Sequence, residues 1–338
     1  MNHEPQLRVM RERVEIPHAL PVNPTCGYAL AGLLEVRAPE DSPRDFEAFW
    51  RETYAQARAE EGRLDIARRP ASQTLDGVRV SELEFTSWEG ARIGAWLVEP
   101  PEGHPPRGLL VVGHGYGGRE GPEYGWSREG YAALYPCARG FNRSAHPDFP
   151  SESTTHVLHR LEQRERYVIR GCVAELWHAA SVLIRLYPAL EEHLFYAGVS
   201  FGGGLGALLL PWDRRFKRAH LSVPTFGNHP LRLRWPCTGA GESARKYAEQ
   251  HPEAAGVLRY YDAATAATFV RIPTLTHAAL FDPAVIPPGQ FAVANSLRAP
   301  GSKLVVIPTA HFDPQPPLLS PQENEQLNRE VVAFIKGE

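Results

Sequence analysis

The residues Gly198-Val199-Ser200-Phe201-Gly202 close an apolar run, Leu194-Phe195-Tyr196-Ala197. They fit G-x-S-x-G, a sharp strand-to-helix turn that lifts a serine hydroxyl above a sheet. The chemistry predicted is nucleophilic attack on an acyl carbon. Such a turn strains the serine backbone, and a Cβ on either flanking glycine would crowd it. The pattern alone recurs by chance, but its setting narrows it. A β-rich run precedes it, and Gly203-Gly204-Leu205-Gly206-Ala207-Leu208-Leu209-Leu210 reads as a tightly packed helix after it. Ser200 is therefore the candidate nucleophile, with Gly198 and Gly202 letting the turn close. The alternative is a plain glycine-rich turn.

A serine hydroxyl attacks only if an imidazole takes its proton, and the imidazole needs a carboxylate to fix its tautomer. In folds built around this turn the chain order runs serine, acid, histidine. Among the 14 histidines, position selects His311, which follows the buried run Lys303–Ile307 and a short turn just before the last helix. His220 and His277 lie inside strand-like runs and read as core residues. For the acid, Leu275-Thr276-His277-Ala278-Ala279-Leu280-Phe281 ends at Asp282, with Pro283 and Pro287-Pro288 beyond. Asp313 lies too near His311 in sequence to come from a separate strand, and Asp262 reads as a helix cap.

A tetrahedral intermediate needs N–H donors fixed where its negative charge develops. One is the backbone amide of Phe201. The other is expected from His114-Gly115-Tyr116-Gly117-Gly118, directly after Leu109–Gly113. The amide of Tyr116 is the candidate, with Gly115 allowing close approach of backbone to substrate. Losing one such donor costs roughly 100- to 1000-fold in rate. The alternative is that these glycines only make a tight turn.

The elements that must position these groups alternate. Val78–Phe85 and Ala91–Val98 alternate apolar and polar residues around the turn Ser87-Trp88-Glu89-Gly90, an antiparallel hairpin. Leu109–Val112, Ala132–Tyr135, Leu194–Val199, Ala219–Val223, Leu275–Leu280 and Leu304–Ile307 are almost wholly apolar, as in parallel strands covered on both faces. Helical segments separate several of them. Ser42, Pro43 and Asp45 predict a helix start, continued by an aromatic stripe (Phe46, Phe49, Trp50, Tyr54) that reads as packing. Gly171–Tyr187 carries Val173, Leu176, Ala180 and Leu183 on one face. Ser320, Pro321 and Glu323 form a capping box that opens the last helix. The fold predicted is α/β, a doubly wound, mostly parallel sheet of the α/β-hydrolase kind with an antiparallel N-terminal hairpin. Residues 1–40, rich in proline, are expected as an arm on the surface of a single domain, 41–338. The long segments 142–168 and 225–268 are expected to shape the mouth of the site, at the sheet edge where ligands bind.

Bulk properties exclude other classes. The 338-residue chain is 43% hydrophobic, enough for a large core, and its formal net charge of −3 gives no reason to expect nucleic acid or an anionic membrane as partner. No apolar run is long enough to span a membrane. The N-terminus shows no signal peptide, and Cys26, Cys137, Cys172 and Cys237 lie far apart with no CxxC spacing, so neither zinc nor a disulfide framework is expected. A reduced, cytoplasmic protein without metal or other cofactor is the simplest expectation.

From about residue 40 to 337 the chain resembles the acetyl xylan esterase / cephalosporin C deacetylase family of α/β-hydrolases. The resemblance is carried by Asp45-Phe46-Glu47-Ala48-Phe49-Trp50, Gly90–Leu97, Gly115-Tyr116-Gly117-Gly118-Arg119, Arg139-Gly140, the Ser200 turn, Tyr261-Asp262, Asp282 with Pro287-Pro288, and His311. It implies Ser200, Asp282 and His311 as the triad and the Tyr116 and Phe201 amides as the oxyanion hole. It further implies deacetylation of small acetylated sugars and related esters without metal, in a homo-oligomer that is commonly a ring-shaped hexamer. The chain departs from the family at three places. Phe141 follows Arg139-Gly140 where glutamine is usual, Phe201 replaces the glutamine after the serine, and Phe312 replaces the glutamate after the histidine. Either the surroundings of the site have become more apolar, with Tyr116, Phe141 and Phe312 meeting substrate, or the phenylalanines fill space left by other substitutions. Arg139 is expected to hold loops together by an ion pair.

The activity expected is that of a serine carboxylesterase acting on a small-molecule ester through an acyl-enzyme. The alternatives are a non-catalytic scaffold or altered-specificity member of the fold, and a serine peptidase of the prolyl-oligopeptidase type.

Overall fold

The apolar runs of the sequence become the inner strands of one sheet. A computed structural model describes residues 4–73 and 77–338; the first three residues of the expected arm lie outside it. In chain order the strands are β1 (Gln6–Val9), β2 (Ile66–Arg68), β3 (Ser72–Gln73), β4 (Arg79–Thr86), β5 (Arg92–Glu99), β6 (Gly108–Gly113), β7 (Tyr131–Pro136), β8 (Leu194–Val199), β9 (Phe216–Ser222), β10 (Thr274–Phe281) and β11 (Lys303–Thr309). They form an 11-stranded sheet in the order β1-β11-β10-β9-β8-β6-β7-β5-β4-β2, with β3 also on β4. Pairing is parallel from β1 to β7 in that order and antiparallel from β7 through β5 and β4 to β2.

Both faces of the parallel part are covered, which is why its strands lack alternation. Leu109 and Val111 enter one core with the helices Val168–Leu186 and Phe201–Leu209. Leu110 and Val112 point the other way, into a cluster with Val98, Ala133 and Tyr135. The last helix, Pro321–Lys336, closes that second face nearby through Leu327, Val331, Phe334 and Ile335. Its capping box forms as expected, Ser320 accepting from the Glu323 amide and Glu323 accepting from the Ser320 amide.

Some boundaries differ from the sequence expectation. The first long helix is Phe46–Ala59 with Asp45 at its N-cap, three residues past the expected start. The Ser42 hydroxyl is used elsewhere, on the Pro39 carbonyl and the Thr265 hydroxyl, both at 3.0 Å. The helix expected from Gly171 begins at Val168. A wholly buried helix, Pro287–Ser296, follows Asp282; buried all round, it shows no periodicity to read.

The arm is more than a surface strap. Its residues Gln6–Val9 pair parallel with Lys303–Val306. Leu33, in the helix Leu30–Glu35, is fully buried against Ala278 and Leu280. Among the described residues no helix is long and apolar enough to cross a membrane.

Candidate active site

Ser200 sits between β8 and the helix Phe201–Leu209 with φ 53° and ψ −106°. A non-glycine residue held there stores roughly 1–3 kcal/mol of strain, which the packing around the turn must over-determine. That packing is backbone on backbone. A Cβ on Gly198 would come within 2.5 Å of the Gly202 carbonyl carbon and oxygen, and one on Gly202 within 2.5 Å of the Gly113 carbonyl carbon. The two glycines of the motif are thus required by contact. The turn is tied down by Gly202 N–H donating to the His114 carbonyl at 2.8 Å and Ser200 N–H to the Ser222 carbonyl at 2.8 Å.

From the end of β11, His311 reaches back to this serine. The Ser200 hydroxyl donates to His311 Nε2 at 3.0 Å, and His311 Nδ1–H donates to Asp282 Oδ2 at 2.8 Å. Asp282 directly follows β10 and is fully buried. Its carboxylate also accepts from the amides of Ala284 and Val285, each at 2.9 Å, and from Gln290 Nε2 at 2.8 Å. Burial pushes the carboxyl pKa up, against the opposing pull of His311 and the two amides. For His311, burial pulls the pKa down, but the Asp282 hydrogen bond and charge outweigh it and leave it above the ordinary value. Of the rival acids, Asp313 is exposed. Asp262 caps the helix Ala263–Ala267, accepting from the Thr265 amide at 2.8 Å, and burial raises its pKa to about 6.

Gln290 was not legible in the sequence. It lies in the buried helix Pro287–Ser296, its oxygen accepting from the Ala279 amide at 2.8 Å and its amide donating to both Asp282 and the Val285 carbonyl. Gln290→Ala would strand that amide and that carbonyl and remove one of the carboxylate's donors. Each unsatisfied buried group costs about 1–3 kcal/mol, so the variant is expected to lose about 2–5 kcal/mol of stability, measurable by urea unfolding. Unchanged stability would mean that water replaces all three bonds.

The two amides expected as oxyanion donors are those of Phe201 and Tyr116. Phe201 N–H is the first of its helix and so has no carbonyl one turn back to donate to. Tyr116 stands on the loop after β6. Its ring stacks on that of Phe201, centroids 4.0 Å apart and planes 8° apart. His114 fixes the loop from below: its Nε2 accepts from the Ala138 amide at 2.9 Å, so Nδ1 carries the proton and donates to the Gly115 carbonyl at 2.6 Å. Burial lowers its pKa to about 4, keeping the ring neutral. The Tyr116 hydroxyl donates to His156 Nδ1 at 3.1 Å, and His156 Nε2–H donates to the Arg139 carbonyl at 3.0 Å. Arg139 pairs in turn with the buried Glu175 of helix Val168–Leu186, whose carboxylate also accepts the Arg139 amide at 3.1 Å. The loop bearing Tyr116 is thus linked by neutral histidines and one ion pair to the central helix.

This placement bears on the two readings of the phenylalanines. Phe141 and Phe201 are 3% and 1% exposed. Phe141 packs on His156, Tyr116 and His114, and Phe201 on Tyr116 and Phe226. They fill space behind the loop. Phe312 tilts against Phe281, centroids 5.2 Å apart. Neither Phe141 nor Phe312 is among the residues that wall the cavity at Ser200, whereas Tyr116 is on that wall. The cavity is about 190 Å³, with Ser153, Thr225, Arg232 and Thr238 joining Ser200 and His311 among apolar neighbours such as Ala240, Ala284 and Val285. Ser153 comes from the segment 142–168, and Thr225, Arg232 and Thr238 from 225–268. His220 and His277 are apart from it, packed edge to face at 4.6 Å between ring centroids. Among the described residues, no group of three or more His, Cys, Asp or Glu side chains is placed to hold a metal ion.

A serine on a strained turn at the end of a parallel strand, with an imidazole and a buried carboxylate delivered by the last two strands, defines an α/β-hydrolase of the serine-esterase type. The acetyl xylan esterase family model matches residues 25–325, and the chain belongs to that family. Its fold is similar to the acetyl xylan esterase of Paenibacillus sp. R4, at 20% identity, TM-score 0.76, covering 92% of this chain and 99% of that one. It is likewise similar to acetyl xylan esterase 1 of Thermoanaerobacterium sp. JW/SL YS485, at 18% identity, TM-score 0.74, covering 91% and 99%. A more distant likeness is the Pyrococcus horikoshii acylaminoacyl peptidase, at 14% identity, TM-score 0.54, covering 81% of this chain and 48% of that one.

Proposed function

We propose that this chain removes acetyl and other short acyl groups from small hydroxylated molecules, acetylated sugars foremost, through an acyl-enzyme on Ser200. The observation that supports it is the unbroken hydrogen-bond line Ser200–His311–Asp282 opening on a small cavity with a few polar side chains on its wall. The Ser200 oxygen attacks the ester carbonyl as His311 Nε2 takes its proton. The carbonyl electrons move to the oxygen, which the Tyr116 and Phe201 amides receive. Collapse of the tetrahedral intermediate expels the alcohol, which His311 protonates. Water then attacks the acyl-serine, with His311 again as base, releasing acetate and restoring the hydroxyl. Asp282 keeps Nδ1 protonated and balances the imidazolium without taking the proton itself.

The test is a series of p-nitrophenyl esters of increasing acyl length, together with an organophosphonate that labels an activated serine. Acetate should give burst release of nitrophenol, the label should map to Ser200, and kcat/KM should fall by roughly 10-fold or more towards long acyl chains, because the cavity is small. Absence of turnover on every short ester together with an unlabelled Ser200 would favour a non-catalytic scaffold.

A further inference from the structure

Arg232 carries a charge that the fold does not spend. It ends the short helix His229–Arg232, is 4% exposed, and stands on the wall of the Ser200 cavity. Its Nε and Nη1 atoms are buried with no hydrogen-bond partner. The next acid along the chain, Glu242, is taken by Arg245 at 2.7 Å and Lys246 at 3.7 Å. Asp282 is taken by His311, Gln290 and two amides. What the guanidinium does meet is the face of Phe226, 5.7 Å from the ring centroid. Room for it is kept by a glycine, because a Cβ on Gly241 would come within 2.8 Å of its Nη2.

Such a group is costly to bury. Arginine cannot escape by losing its proton, and a charge withdrawn from water without a counter-charge is unfavourable by more than most single contacts return. A buried, unpaired guanidinium facing a substrate cavity is relieved when an anion enters. Its planar fork matches a carboxylate in two-point contact. Thr225 stands on the same wall and its hydroxyl offers a further donor, whereas that of Thr238 is spent on the Pro283 carbonyl at 3.2 Å.

We propose that Arg232 is a specificity-determining residue that selects esters bearing a carboxylate close to the scissile bond. The proposal rests on the reading of Ser200 as the nucleophile of the same cavity. The carboxylate can belong to the alcohol half, as in an acetylated hydroxy acid or sugar acid, or to the acyl half, as in a monoester of a dicarboxylic acid. The chemistry that Arg232 recognises is the same in both.

The experiment uses matched pairs that differ only in charge. For the alcohol half these are 2-acetoxypropanoate and its amide; for the acyl half, p-nitrophenyl hemisuccinate and its terminal amide. In the wild-type enzyme kcat/KM for the acid should exceed that for the amide by roughly 10- to 100-fold in one pair, the range of a charge-assisted hydrogen bond. The pair that responds identifies the half that carries the charge. Arg232→Gln should bring that ratio close to one, and Arg232→Lys should leave it in between, since an ammonium keeps the charge but not the fork. The ratio is read within each variant, so a lower yield of folded protein cancels. A wild-type ratio of one or less in both pairs, or a ratio unmoved in Arg232→Gln, overturns the proposal. A binding readout stands apart from turnover. By calorimetry, the Ser200→Ala protein should bind the acid of the responding pair at least about 10-fold tighter than its amide, and equal binding of acid and amide in both pairs counts against Arg232. If no ester is turned over and Ser200 stays unlabelled, the nucleophile reading fails, and calorimetry alone decides on Arg232.

Discussion

Ser200→Ala is expected to lower kcat by on the order of 10⁵- to 10⁶-fold while leaving the fold intact. The hydroxyl is the only atom removed, and alanine must adopt the same positive φ that the serine already bears. The strain is therefore common to both proteins, and the melting temperature should not move by more than a degree or two. The loss should also be nearly the whole effect of the relay. Once the nucleophile is gone, His311 has no proton to take, so Ser200→Ala combined with His311→Ala should be no slower than Ser200→Ala alone. Steady-state hydrolysis of p-nitrophenyl acetate by the single and double variants measures this directly. A residual rate within about 100-fold of wild type, or a further large loss in the double variant, would show that the acyl group is not carried on this oxygen.

The parts of this arrangement visible in the sequence are those set by local rules. A G-x-S-x-G turn after an apolar run is dictated by backbone crowding, and the contacts of Gly198 and Gly202 show the crowding that the motif anticipates. Strands covered on both faces announce themselves as short apolar runs, so the strands that deliver Ser200, Asp282 and His311 were placed within a residue or two. What escaped was set by tertiary contact. Gln290 sits in a helix apolar on all sides and looks like any buried residue until Asp282 is seen beside it. His114 and His156 are neutral connectors whose role depends on carbonyls and amides far away in sequence. The four-residue strand Gln6–Val9 has too little pattern to betray that Lys303–Val306 waits for it, and nothing in Pro24 foretells that its carbonyl takes the Asp282 amide at 2.9 Å. The phenylalanines taught the opposite lesson. Their apolar character was plain, yet its direction, into packing behind Tyr116 for Phe141 and Phe201, is a property of side-chain orientation that spacing does not encode.

The second large effect concerns the acid. Every group around the Asp282 carboxylate is a donor: His311 and Gln290 on one oxygen, the Ala284 and Val285 amides on the other. Asparagine has one acceptor oxygen and one NH₂, so in Asp282→Asn one pair of donors must face another donor. If the oxygen stays on the two backbone amides, the NH₂ faces His311, and the imidazole is driven to the tautomer with its proton on Nε2. That proton then points at Ser200, and the base is lost. The expected fall in kcat is about 10⁴-fold. The pH profile gives a second, independent sign. In the wild type, His311 titrates above the ordinary histidine value of about 6.5 because the Asp282 bond and charge outweigh burial. The base must be neutral to act, so kcat/KM should be lost as pH falls through that raised pKa. Without the carboxylate only the burial contribution remains, and it lowers the pKa. The acid limb of the residual activity should then move to lower pH, while the rate on the plateau stays far below wild type. An acid limb that stays where it was, with a plateau within about tenfold of wild type, would mean that His311 is oriented by something other than Asp282.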